Sequence, residues 1–201
     1  MSRDYISNLI FGVTFLNLTL VGLSTLTLSC TFFTMVRLGA IVCNLLMGGL
    51  LLFNIHSKAV SSPLHRPYWL GMIICNIFVV KMVDTTCSAI CVPSFIYLVG
   101  TVFVILSLFS LWSSFAVIPM LSKIRTRYTY SIIRHPMYLG EIVMLLSCVI
   151  ASETVLSLLI FLIFFLFTIL RIQEEENLLL QTNQYKEYCS NTRWKLLPYI
   201  W

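Results

Sequence analysis

The chain has 201 residues, of which 59% are hydrophobic and only 10% charged, and its mean hydropathy is +0.93; this excludes an ordinary soluble globular domain and leaves an integral membrane protein. The net charge of +5 sits in short loops between apolar runs, which suits anionic lipid headgroups and excludes a nucleic-acid-binding surface. The seven cysteines are odd in number, form no CxxC pair and, except for Cys189, lie in apolar stretches, so they read as small packing residues rather than as disulfides or metal ligands.

In chain order, Ile6 to Met35 carries no charge and is expected to form one long or tilted span ending near Arg37. It shows no small-residue cleavage pattern and reads as retained. Leu38 to Ile55 follows as a second span. His56 to Pro67 is a polar loop whose two histidines suggest no metal site. Tyr68 to about Thr86 is a third span. It carries Lys81 and Asp84, which are costly inside a bilayer and either pair at i, i+3 or line a polar cavity. Cys91-Val92-Pro93 marks the turn into a fourth span ending near Pro119.

Ser122 to His135 is a basic loop. Met137 to Leu170 is about twice the length a single crossing needs, and Ala151-Ser152-Glu153-Thr154 interrupts it. It therefore reads as a helical hairpin bent at Glu153. The expected fold is an all-α polytopic bundle of six spans, or five if 137–170 is one helix. With six spans and a cytoplasmic N-terminus, every Lys and Arg except Arg37 and Lys81 falls on the cytoplasmic side, as the positive-inside rule expects.

Beyond Leu170 the chain turns polar, with Arg171 and Glu175 four apart on one helix face. Ile172, Glu176, Leu179 and Leu180 form a second row. Three adjacent carboxylates, Glu174 to Glu176, cannot share one face, so at least one is expected to be solvated. Thr182-Asn183 allows a turn, and the stretch from Trp194 to Trp201 is aromatic and apolar enough to lie at the membrane interface.

The polar island Arg134-His135-Pro136-Met137-Tyr138-Leu139-Gly140-Glu141 is the most chemically loaded stretch. Pro136 suits the first position of a helix, and the N–H groups of Met137, Tyr138 and Leu139 would then form an anion-receptive helix end beside two basic side chains. A hairpin brings this island and the Arg171–Glu176 cluster to one membrane face, where they can form a single site.

Arg134-His135-Pro136-x-Tyr138-x-Gly140, then Arg171-x-x-x-Glu175-Glu176-x-x-Leu179, then Tyr185-x-x-Tyr188 and Leu197-Pro198 resemble the C-terminal core of the isoprenylcysteine carboxyl methyltransferase family, to which the phospholipid N-methyltransferases are related. The resemblance covers roughly 112–201 and divides the chain into N-terminal spans (1–111) and a methyltransferase core (112–201). It implies an integral membrane enzyme, in a bacterial inner membrane or the endoplasmic reticulum, that uses S-adenosylmethionine on the cytoplasmic side. Its acceptor is a lipid-like molecule entering from the bilayer.

By the same resemblance Ser122, Lys123, Ile124, Arg125, Tyr130, His135, Pro136, Met137 and Tyr138 line the cofactor site. Arg171 faces substrate and Glu175 the cofactor, and these two are the expected catalytic residues. No metal is implied. Ser122 stands where the family often has His, Tyr128 where it often has Gly, and the segment between Leu180 and Tyr185 is short. Carboxyl O-methylation of an isoprenylcysteine or similar acid is the leading expectation. N-methylation of a lipid amine follows, then an NADPH-dependent sterol-type reductase and a non-catalytic scaffold.

Overall fold

The computed structural model describes residues 3–24, 31–53, 60–61, 68–82, 92–111, 120–121, 126 and 128–201. Seven α-helices form among them: α1 (Arg3–Ser24), α2 (Phe32–Phe53), α3 (Tyr68–Lys81), α4 (Val92–Ser110), α5 (Pro136–Ser152), α6 (Val155–Leu179) and α7 (Asn183–Asn191). A 3₁₀ turn spans Tyr128–Ser131. One small antiparallel pairing, β1 (Val60–Ser61) with β2 (Met120–Leu121), sets Val60 opposite Leu121. It ties the loop after α2 to the basic loop before α5. The architecture is an all-helical membrane bundle.

Three helices, α2, α4 and α6, are long and apolar enough to cross a bilayer, and three shorter apolar helices run over Leu9–Leu20, Leu70–Lys81 and Pro136–Ser152. These six helices overlap the six stretches expected to span, three of them at crossing length. The first boundary differs from expectation. The helix does not run from Ile6 to Met35, because Thr31 opens α2 by accepting a hydrogen bond from the Thr34 N–H at 3.3 Å, as an N-cap does. Arg37 consequently lies within α2, with its guanidinium over the Phe33 ring at 4.4 Å. Lys81 is exposed at the end of α3, whereas Asp84, both loop histidines and Cys30, Cys87 and Cys91 lie outside the described residues.

α5 and α6 form the expected hairpin. Glu153 closes α5 in the left-handed conformation (φ 49°), and its N–H reaches the Val149 carbonyl. Thr154 caps α6 by accepting from the Ser157 N–H. Two residues between helices leave room only for an antiparallel return. α4 packs along α5 and α3 along α6, while α1 and α2 pair with each other and reach the rest through α4. The main core runs from Phe32 and Val36 through Tyr97, Ile142, Leu145 and Phe164 to Ile172 and Leu196.

α6 continues unbroken past its apolar part to Leu179, and α7 begins after Thr182, whose hydroxyl accepts from the Tyr185 N–H. The final segment then folds back under the start of α5. Arg134 N–H donates to the Trp194 carbonyl at 2.9 Å and His135 N–H to the Lys195 carbonyl at 2.8 Å. Leu196 is buried in the core, while Tyr199 and Ile200 point outward.

Candidate active site

Pro136 fills the first turn of α5, and no side chain caps that helix end. His135 and Pro136 are both buried. Immediately around them two polar networks meet, one supplied by each half of the α6 extension.

The outer network is centred on Glu176, which is 3% exposed. Its Oε2 accepts from Arg134 Nη1 at 2.9 Å, and Lys195 Nζ approaches the same oxygen to 3.8 Å. Its Oε1 accepts from the Tyr185 hydroxyl at 2.7 Å and lies 2.9 Å from His135 Nε2. A carboxylate only accepts, so His135 presents an Nε2–H to it. Burial, and then the Glu176 charge, push the Tyr185 hydroxyl well above the usual tyrosine range. Tyr185 is therefore a permanent donor. Arg134 also donates to the Arg193 carbonyl at 3.1 Å and to Cys189 Sγ at 2.9 Å.

The inner network joins both helices of the hairpin. The Tyr138 hydroxyl donates to Glu175 Oε2 at 2.9 Å and accepts from Arg171 Nε at 3.2 Å. Arg171 is 4% exposed and is also within electrostatic reach of Glu174 and Glu141. Tyr130, in the 3₁₀ turn, is buried within electrostatic reach of Glu175 and Tyr138, and burial followed by the Glu175 charge raises its hydroxyl well above the ordinary range. The Tyr188 hydroxyl crosses from α7 to the Tyr130 carbonyl at 2.6 Å. A polar cleft of about 450 Å³ opens on the outer side of Tyr188, with Thr126, Ser131, Gln184 and Glu187 among its walls.

Of the residues expected from sequence, Tyr130, His135, Pro136, Tyr138, Arg171 and Glu175 thus gather at one end of the hairpin, with Met137 beside them packing against the core. Ser122, Lys123, Ile124 and Arg125 lie outside the described residues. The expectation that at least one of Glu174 to Glu176 is simply solvated is not met: Glu174 and Glu175 are half-buried and Glu176 is buried. Glu176, Tyr185 and Tyr188 are central residues that the sequence reading quoted in the motif, with Glu176 as one candidate base for an amine acceptor, but did not place among the expected cofactor and substrate residues. For Glu176 the signal was the row Ile172, Glu176, Leu179 and Leu180, of which Ile172 and Glu176 are buried and Leu180, just past α6, is exposed; for the tyrosines of α7 it was their three-residue spacing in the motif. Among the described residues no three His, Cys, Asp or Glu side chains group as metal ligands do.

The chain matches the phospholipid methyltransferase family over residues 68–187, a range that takes in α3, α4, the whole hairpin and most of α7. It belongs to that family. No curated protein and no solved structure matches it. The protein is accordingly a membrane methyltransferase, and the match begins well before residue 112, where the motif resemblance starts.

Proposed function

We propose that the protein transfers a methyl group from S-adenosylmethionine to a lipid-like acceptor that reaches the site sideways from the bilayer, with the site on the cytoplasmic face. The observation that carries this reading is the hydrogen-bonded chain Arg171–Tyr138–Glu175, which joins α5 to α6 with contacts of 3.2 and 2.9 Å. The two motifs are one site.

The residues present suit the cofactor. The uncapped N-terminal end of α5 is receptive to a carboxylate, Glu175 suits an ammonium group, and Tyr138 and Tyr130 offer aromatic faces. When bound, the sulfonium supplies an electrophilic methyl group and a neutral thioether leaving group. The protein's task is then mainly alignment of acceptor, methyl and sulfur. Arg171, on the substrate side, suits the acceptor's anionic group, because a guanidinium binds carboxylate or phosphate at two points. His135 is held by Glu176 at 2.9 Å and is proposed to shape the cofactor end of the site.

Two acceptors fit an anion at Arg171. The methyl can go onto that anion, as in carboxyl methylation of an isoprenylcysteine-like acid, which needs no base. It can instead go onto an amine beside it, as in a phospholipid headgroup. The family is one of methyltransferases, so the sterol-reductase reading has no comparable support.

Calorimetric titration of the purified protein with S-adenosylmethionine and, separately, NADPH tests the cofactor; binding of the first alone is expected. Arg171→Ala should abolish most turnover of a labelled methyl group while leaving cofactor affinity within about twofold, the pattern of lost substrate orientation. Full turnover in that variant would remove Arg171 from the substrate side. His135→Ala should weaken cofactor binding.

A further inference from the structure

The Tyr185 hydroxyl shares its acceptor with a residue at the proposed cofactor end of the site. It donates to Glu176 Oε1 at 2.7 Å, and the same oxygen lies 2.9 Å from His135 Nε2. All three side chains are buried. The other carboxylate oxygen, Oε2, faces Arg134 at 2.9 Å and Lys195 at 3.8 Å. Glu176 is thus divided, one oxygen to the cations and one to Tyr185 and His135. Tyr185 itself is fixed from two sides. The Thr182 hydroxyl accepts its backbone N–H at 3.4 Å, and its ring leans on that of Tyr188 with centroids 5.6 Å apart.

His135 has its backbone held as firmly, since its N–H donates to the Lys195 carbonyl at 2.8 Å; only the ring is left to set. That ring makes no capping bond to α5, and among the described residues Glu176 is its hydrogen-bond partner. Which nitrogen of a histidine carries the proton is set by the bond the other makes. With Nε2–H given to Glu176, Nδ1 is the nitrogen left over. The surrounding charges decide its form. Arg134 and Lys195 already answer the single charge of Glu176, and Glu175 is taken by the Tyr138 hydroxyl. The Cys189 thiol, 2.9 Å from Arg134, is kept neutral by burial, and the Tyr138 ring lies 5.8 Å from that of His135. A third positive charge in this cluster would go unanswered, so the neutral ring, with Nδ1 a bare acceptor, is favoured.

We propose that Tyr185 is a positioning residue: acting through Glu176, it holds His135 in the neutral Nε2–H form, with Nδ1 offered as an acceptor to a hydroxyl or amino group of the cofactor. This rests on the reading that puts His135 at the cofactor end. Tyr185 takes up part of the charge on Oε1, so that this oxygen binds the imidazole N–H without drawing a second proton onto the ring. Without the hydroxyl, His135 would face that oxygen alone. The carboxylate would then favour the doubly protonated ring, which has two donors and no acceptor left.

Purified full-length protein carrying isotope-labelled histidine, read by nitrogen NMR at neutral pH, supplies the first arm of the test, with His135→Gln identifying the signals of His135. The wild type should show one protonated and one bare nitrogen, and added S-adenosylmethionine should shift the bare one. A doubly protonated ring in the wild type overturns the proposal. In Tyr185→Phe the bare-nitrogen signal should fade. Calorimetry supplies the second arm as a double-mutant cycle. Tyr185→Phe should weaken binding of S-adenosylmethionine about tenfold, the worth of one hydrogen bond. In a His135→Gln background the same change should cost nothing further. Equal losses in both backgrounds mean that Tyr185 supports the fold and not the ring, and overturn the proposal. If His135→Gln binds as tightly as the wild type, His135 leaves the cofactor end and the role of Tyr185 goes with it, while the methyltransferase reading stands. A wild type that does not bind S-adenosylmethionine removes the cofactor reading itself.

Discussion

At the scale of single residues, Glu176 is a buried carboxylate shared among several donors. Three donors reach it within 2.9 Å, and they come from the loop before α5 and from α7. Removing one member of a buried ion pair leaves its partners uncompensated and costs about 3–5 kcal/mol. Glu176→Ala is expected to lower the melting temperature in detergent sharply and to free the segment after α7, measurable as faster proteolysis there. Tyr138→Phe is the contrasting case. It removes only the hydroxyl bridging Arg171 to Glu175, so the melting temperature should move by a few degrees at most while turnover falls more than about tenfold, a shift worth about 1.4 kcal/mol in the barrier. Tyr138, Arg171 and Glu175 were legible as site candidates through the motif resemblance, and a proline at a helix start and a pair spaced by four added which face each residue takes. The sequence did not rank the three carboxylates. Their order of burial follows from α7 folding back so that Tyr185 lies against Glu176, a contact that α6 periodicity does not contain.

At the scale of elements, the crossing of α4 and α5 sets where the polar island sits. Gly100 and Gly140 face each other there. A Cβ on Gly140 would stand 2.9 Å from the Gly100 carbonyl oxygen and 2.7 Å from Val104 Cγ2, and one on Gly100 would stand 2.8 Å from the Met144 backbone nitrogen. Backbone cannot yield as a side chain does, so Gly140→Ala should cost about 1–3 kcal/mol as an overpacked contact. Gly49 provides the control, since a Cβ added there would meet nothing within 4 Å; Gly49→Ala should be neutral or stabilising by up to about 1 kcal/mol. Thermal denaturation of both variants side by side checks the difference in sign. Helix ends were legible wherever a residue type dictates them, as at Pro136, at the Glu153–Thr154 bend and at Thr182. The division between α1 and α2 was not, because from Ile6 to Met35 hydropathy is uniformly high and a single threonine cap decides it.

At the scale of the whole molecule, the surfaces of α6 sort by depth and by face. Phe161, Phe164 and Thr168 are buried, while Leu158, Leu162 and Leu166, each four residues on from the last, point outward. That outward row is all hydrocarbon, which suits lipid and not water. α5 has 17 residues, about 25 Å of helix, close to the roughly 30 Å of a bilayer's hydrocarbon. Glu153 therefore sits about one α5 length, roughly 25 Å, away from the Arg134–Glu176 contact. The distribution of Lys and Arg supports the proposed orientation, with the site end in the cytoplasm and the bend on the opposite face. Single cysteines at Glu153 and Gln184, in a chain whose native cysteines are replaced and which still binds cofactor, give a direct check. A membrane-impermeant maleimide should label Gln184→Cys only where the cytoplasmic face is accessible and Glu153→Cys only from the other side. Labelling of both from one side would mean that the hairpin dips into the bilayer without crossing it, and the acceptor would then have to approach the Tyr138–Glu175 pair from water rather than along α6.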